Sequence, residues 1–219
     1  MIIGHGGIEC HLSAQFNTTI LHVEYRLSPE HSLLAAIDDA LALYNSLLRT
    51  KISPSQIIFM GDSAGGGLAL LTIQTLLARQ IPIPQGIVLL SPWTDLSISG
   101  ESYSRNEKVD VMLRPEYMKW ITTLLLGSNH SHFSLCDARI SPLFGSFHGF
   151  PPMYINVGTA DILEDDSKRI VEKALEADVS VTFEEGLHLM HIYPFFFSFY
   201  PEARQTLHNI HHWIQNVLD

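Results

Sequence analysis

The 219-residue chain is poor in cysteine, in basic residues and in long apolar runs, and each shortage removes a class of answer. Two cysteines, Cys10 and Cys136, allow at most one disulfide; that usage suits a reducing compartment and makes the cytoplasm the default expectation. With 13 basic against 23 acidic residues, the formal charge is -10. Such a surface repels phosphate backbones and anionic membranes and carries no polybasic stripe, so nucleic acid is not expected as a partner. The richest apolar run, Ile192 to Tyr200, contains Pro194 and Ser198 and falls well short of the ~20 residues a spanning helix needs. No membrane span is expected. The opening Met1-Ile2-Ile3-Gly4-His5-Gly6-Gly7 lacks the basic start and apolar stretch of a secretory leader.

What is present is a chain with 46% hydrophobic residues, enough for one sizeable core, which argues for a single domain over residues 1–219. Short β-rich runs alternate with longer helical patterns. Thr19 to Glu24 reads as a strand, Ser32 to Leu48 as a helix, Gln56 to Met60 as a strand, Ala64 to Arg79 as a helix and Gly86 to Leu90 as a strand. That alternation predicts a parallel sheet flanked by helices. Leu33, Ile37, Leu41, Tyr44 and Leu48 draw one stripe along the first helix, and Ile57 to Met60 is apolar throughout, as a strand buried on both faces is. Residues from about 97 to 149 read as a helical excursion, richer in Ser, Asn, Arg and His, with a helix from Pro115 to Leu126. The alternation then resumes with the strand Met153 to Val157, a helix from Glu164 to Ala177, the strand Val179 to Phe183 and a last helix from Glu202 to Leu218.

The chemistry concentrates at Gly61-Asp62-Ser63-Ala64-Gly65, a G-x-S-x-G sequence set between a buried strand and a helix. A nucleophile elbow needs that context: the serine takes strained backbone angles, and small neighbours at Gly61 and Gly65 let strand and helix approach. The N–H of Ala64, at the helix start, then faces the oxygen that becomes negative in a tetrahedral intermediate. Upstream, His5-Gly6-Gly7 follows the apolar pair Ile2-Ile3, and its glycines can present Gly6 and Gly7 N–H groups to the same oxygen.

These motifs, together with Tyr25-Arg26-Leu27-Ser28-Pro29-Glu30-His31, Asp38-Asp39, Ser91-Pro92-Trp93-Thr94-Asp95-Leu96, Ser141-Pro142-Leu143 and Gly158-Thr159-Ala160-Asp161-Ile162-Leu163, resemble the hormone-sensitive-lipase family of α/β-hydrolases. The resemblance runs through nearly the whole chain. It implies the α/β-hydrolase fold, here lacking the first strands and most of the N-terminal cap, and a carboxylesterase-type serine hydrolase acting on short- to medium-chain esters without a cofactor. In the family's pattern the acid falls on Asp161, where it would hold the imidazole in one tautomer. His188 and His191 both follow the last strand and spacing does not choose between them; the resemblance of Met190-His191-Ile192-Tyr193-Pro194 to the family's segment favours His191. The order Ser, Asp, His is the one this fold requires. The alternative reading is a catalytically weak remnant or ligand-binding member of the same fold.

The chain departs from the family at Ile8, which stands where a third glycine is usual, so that its side chain would narrow the oxyanion hole and its N–H become one donor. With the first strands absent, Thr19 to Glu24 would lie near an open sheet edge, and self-association is the expectation. Structural readings come first for the remaining residues of interest. Arg26 is expected to pair with Asp38 or Asp39, Asp62 to brace the elbow, and Asp165 and Asp166 to answer a helix dipole. His208, His211 and His212 share helical spacing but lack a carboxylate or cysteine to complete a metal set. Trp93, Phe195, Phe196 and Phe197 fit core packing at least as well as an acyl pocket.

Overall fold

The apolar runs pair side by side and the amphipathic stripes cover them, as the alternation predicts. The computed structural model describes residues 6–127 and 134–219. Its elements are α1 (Gly6–Phe16), α2 (Leu33–Arg49), β1 (Ile58–Asp62), α3 (Ser63–Ala78), β2 (Gly86–Leu90), α4 (Ser102–Arg105), α5 (Pro115–Leu126), β3 (Met153–Gly158), α6 (Glu164–Glu176), β4 (Val181–Gly186) and α7 (Pro201–Leu218). Among the described residues the strands form one sheet in the order β1-β2-β3-β4, every pair parallel. The register sets Phe59 beside Ile87, Ile87 beside Met153 and Met153 beside Val181.

Because strand side chains alternate, β2 divides its apolar residues between two cores. Ile87 and Leu89 pack with Leu70 and Ile73 of α3 and Ile170 and Ala174 of α6. Val88 and Leu90 pack on the other face with Ile8 and Leu12 of α1 and Leu207 and Ile210 of α7. All four β2 side chains are fully buried, each worth about 1.5–3 kcal/mol of apolar transfer. Farther out, Ile37, Leu41 and Tyr44 of α2 close on Leu68, Leu71 and Leu76 of α3.

The excursion between β2 and β3 packs on the acid end of the sheet. Trp93, Leu96, Tyr103, Met118, Leu126 and Ile140 form one cluster with Ile162 and Leu163, the two residues before α6. The connection after β3 is thus held from outside the sheet as well as from within it.

Three expectations are corrected. The strand before Ser63 is not buried on both faces: β1 is half-buried, with Met60 exposed. Thr19 to Glu24 is not a strand: the chain from Asn17 to Leu27 runs without ladder pairing, closed by a Tyr25 N–H to Val23 carbonyl bond, and Leu21 is exposed. Its β-branched content favours an extended chain, but strand preference is expressed only where a partner and a buried face exist. Among the described residues β1, the strand leading to Ser63, is therefore at one edge of the sheet. The last strand also begins later than Val179, because the Val179 N–H still bonds the Ala174 carbonyl in the turn that ends α6.

Candidate active site

Ser63 opens α3 directly after Asp62, the last residue of β1, with φ of 49°. Left-handed backbone is rare outside glycine and marks a position over-determined by its surroundings. Gly61 is part of that constraint: a Cβ there would lie 2.4 Å from the Gly65 carbonyl oxygen, a backbone atom that cannot swing away. Among the described residues nothing lies within 4 Å of where a Gly65 Cβ would go, so the strand and helix seen there do not require this second glycine. The crowding falls instead on Gly67, whose Cβ would meet the Trp93 carbonyl oxygen at 2.3 Å. On the same side the Trp93 N–H donates to the Ser63 carbonyl at 2.9 Å, tying the serine's backbone to the turn after β2.

Asp161 and His191, 30 residues apart, come together at the C-terminal ends of β3 and β4: His191 Nδ1 lies 2.8 Å from Asp161 Oδ2. Both are enclosed, His191 3% exposed and Asp161 fully buried. The other carboxylate oxygen accepts the Leu163 N–H at 2.9 Å, which fixes the plane of the acid. Two backbone bonds lace the loops together, Thr159 N–H to the Gly186 carbonyl and Ala160 N–H to the Leu189 carbonyl. His188 goes elsewhere: it is exposed, with φ of 59°, and its N–H donates to Thr159 Oγ1 at 2.7 Å.

Gly6 and Gly7 do not form the loop expected of them. They open α1, while His5, Ile2 and Ile3 lie outside the described residues. The first N–H groups of a helix lack intrahelical partners, and Gly6 and Gly7 hold that position in α1 as Ala64 does in α3. Ile8 turns its side chain into the core beside Leu12 and Val88.

Several groups that hold the acid loop escaped sequence reading. Asp110 Oδ2 accepts the Ile162 N–H at 2.9 Å, and Asn106 Nδ2 donates to the Asp161 carbonyl at 2.7 Å. Asp165 and Asp166 do more than answer the dipole of α6. Asp165 accepts the Ser102 N–H and pairs with Arg105, and Glu164 pairs with the same guanidinium. Asp166 is fully buried, and its Oδ2 accepts the N–H groups of Thr94 and Asp95 at 2.8 and 2.9 Å. Its Oδ1 and the Tyr103 hydroxyl are both buried, and burial first, then the charge of Asp166, raises the Tyr103 phenol. Burial pushes the Asp166 carboxyl up to about 7, with the charge of Asp95 adding to it and the donated N–H groups opposing it. Residues 52 to 72 positions apart make these contacts, and no local pattern announces them.

The remaining residues mostly keep their structural readings. Arg26 pairs with Asp39, not Asp38, through both carboxylate oxygens, and this holds the Asp39 carboxyl down at about 2. Asp62 stands at the N-cap of α3 without a side-chain cap bond; burial first, then the charge of Asp62, raises the Tyr25 phenol. His208 and His212 are exposed and cross edge to face, while His211 stacks on Phe16 at 5.0 Å. Trp93 is core, and Phe195 and Phe197 flank the α1–α7 cluster, Phe197 stacked on His11.

Comparison with known proteins gives this arrangement a lineage. A family profile described as "alpha/beta hydrolase fold" matches residues 7–195. The chain belongs to that family. Within it, an esterase of Acinetobacter venetianus is 37% identical over 209 residues, covering 94% of this chain and 67% of the relative. An acetyl-hydrolase of Streptomyces hygroscopicus is 31% identical, covering 93% and 67%. Among solved structures, a hormone-sensitive-lipase homologue, EstE7 from a metagenome library, superposes with a TM-score of 0.90 at 33% identity, covering 95% of this chain and 70% of that one. These likenesses make the chain a carboxylesterase-type α/β-hydrolase related to hormone-sensitive lipase. It spans about two thirds of the length of the curated relatives it matches. Among its described residues no helix is long and apolar enough to cross a membrane.

Proposed function

We propose that this α/β-hydrolase cleaves short- to medium-chain carboxylic esters through an acyl-enzyme on Ser63. The observation that carries the reading is the buried His191–Asp161 bond at the C-terminal ends of β3 and β4, together with a serine in left-handed backbone at the strand-to-helix turn that ends β1. With Nδ1–H donated to Asp161, the Nε2 of His191 is the basic nitrogen. It takes the Ser63 proton as Oγ bonds to the acyl carbon, and it returns that proton to the departing alcohol oxygen as the tetrahedral intermediate collapses. A water then attacks the acyl-serine, losing its proton to His191, and the carboxylic acid leaves with Ser63 restored. Asp161 keeps one tautomer and stabilises the imidazolium in both halves.

The N–H groups of Gly6, Gly7 and Ala64 are the proposed oxyanion donors. Support comes from their place in the first turns of α1 and α3, where N–H groups point outward and the helix dipole favours negative charge. No cofactor enters this scheme. Two further parts of the reading are separate. The cytoplasm is the proposed location, on the basis of two unpaired cysteines, Cys10 and Cys136. Self-association is proposed through a sheet edge, which among the described residues β1 and β4 provide, with Met60 of β1 exposed; a monomer by light scattering at high concentration would overturn it.

Hydrolysis of p-nitrophenyl butyrate by Ser63→Ala tests the central proposal. Loss of turnover with the fold retained is expected. Turnover at the parent rate would exclude Ser63 as the nucleophile.

A further inference from the structure

The turn after β2 touches every element that carries the proposed triad. Trp93 N–H donates to the Ser63 carbonyl, Thr94 and Asp95 N–H groups bind Asp166 at the start of the acid's helix, and Ser91 Oγ accepts the N–H of Ile192, the residue after His191, at 3.0 Å. Ser91 N–H in turn donates to the Asn156 carbonyl of β3 at 2.7 Å. Contacts to Ser63, Asn156, Asp166 and Ile192 thus gather in five consecutive residues.

We propose that Ser91 is a positioning residue for His191. The hydroxyl belongs to a fully buried side chain, and both partners of its bond stand in left-handed backbone, Ser91 at φ 47° and Ile192 at φ 45°. Such angles are especially costly for a β-branched residue and persist only where neighbours impose them. Ile192 directly follows the imidazole, so a change in its φ swings the His191 Cα and moves the ring relative to both Asp161 and Ser63. Asp161 restrains the ring at Nδ1, and the Ser91 hydroxyl restrains the backbone that carries it. Two restraints on different atoms fix an orientation that one alone leaves free to rotate. A misplacement of about 1 Å at a reacting group costs about 100-fold in rate, so a small shift here is enough to be measured. Acyl and alcohol groups need not touch Ser91 for this to hold, and the effect belongs to turnover, not to substrate binding.

The inference rests on the triad reading, and three variants separate the two. Ser91→Ala removes the acceptor. Ser91→Gly also removes it but suits the left-handed backbone, so its stability differs from that of the alanine variant. Ser63→Ala reports on the triad itself. Steady-state kinetics with p-nitrophenyl butyrate and thermal melts are recorded for each. Expected is a kcat lowered about 10- to 100-fold in both Ser91 variants, with KM within about twofold, whatever their order of melting temperature. A kcat within about twofold of the parent in either folded Ser91 variant, while Ser63→Ala is inactive, overturns the positioning role and leaves the triad standing. A kcat that follows melting temperature, low in alanine and parental in glycine, also overturns it, since the hydroxyl would then matter only to stability. An active Ser63→Ala overturns the triad reading instead.

Discussion

Replacing Asp166 by Asn removes a buried ionisable group while keeping its shape, and the consequence for stability depends on pH. In the folded chain burial raises this carboxyl from the ordinary 3.8 to about 7. An acid whose folded value is raised binds its proton more tightly when folded, so its contribution is fully present below about 3.8 and is lost as pH rises toward 7. At about 1.4 kcal/mol per unit, the loss between pH 5 and pH 8 accumulates over the two units up to 7 and comes to about 3 kcal/mol. Asn carries no such proton and shows no such loss. For a chain of this size that difference corresponds to about 6–12 °C in melting temperature. Thermal melts of parent and Asp166→Asn at pH 5, 6, 7 and 8 give the result directly. The variant should gain on the parent steadily with pH, because subtracting the two curves cancels the titrating groups that do not interact with Asp166. A difference that stays constant from pH 5 to 8 would refute a carboxyl titrating near 7, and one that shrinks with pH would reverse the sign of the burial argument.

Other expectations follow from single contacts. Gly61→Ala places a methyl 2.4 Å from the Gly65 carbonyl, and thermal melts should show a loss of about 3 kcal/mol or more. His191→Ala should lower kcat at least about 1,000-fold, whereas His188→Asn, chosen because Asn accepts left-handed backbone, should stay within about twofold. Asp161→Asn should lower kcat about 10,000-fold with KM little changed, since the amide presents an N–H to Nδ1 and favours the wrong tautomer.

Much of this fold is legible because its determinants are local. The stripe from Leu33 to Leu48 reads as a helix, and α2 runs Leu33–Arg49 with Ile37, Leu41 and Tyr44 buried. The G-x-S-x-G motif reads as an elbow because the apolar strand before it and the helical pattern after it are contiguous with it. Thr19 to Glu24 failed for the opposite reason: its strand preference is real, but pairing depends on a neighbour that the segment's own residues do not specify. The two histidines could be ranked only by resemblance, because two residues separate them and both stand in one loop. Geometry separates them through burial, as His191 reaches Asp161 while His188 faces outward. Ser91, Asn106, Asp110 and Asp166 act on residues 52 to 101 positions away, and such pairings leave no periodic trace in the chain.

The central claim is that Ser63 is activated by His191 held against Asp161, and labelling with a fluorophosphonate followed by peptide mass spectrometry tests it most directly. Rapid modification of the peptide carrying Ser63 is expected in the parent and in His188→Asn, with the rate collapsing in His191→Ala. An unmodified Ser63, a label on another serine, or an undiminished rate in His191→Ala would contradict it.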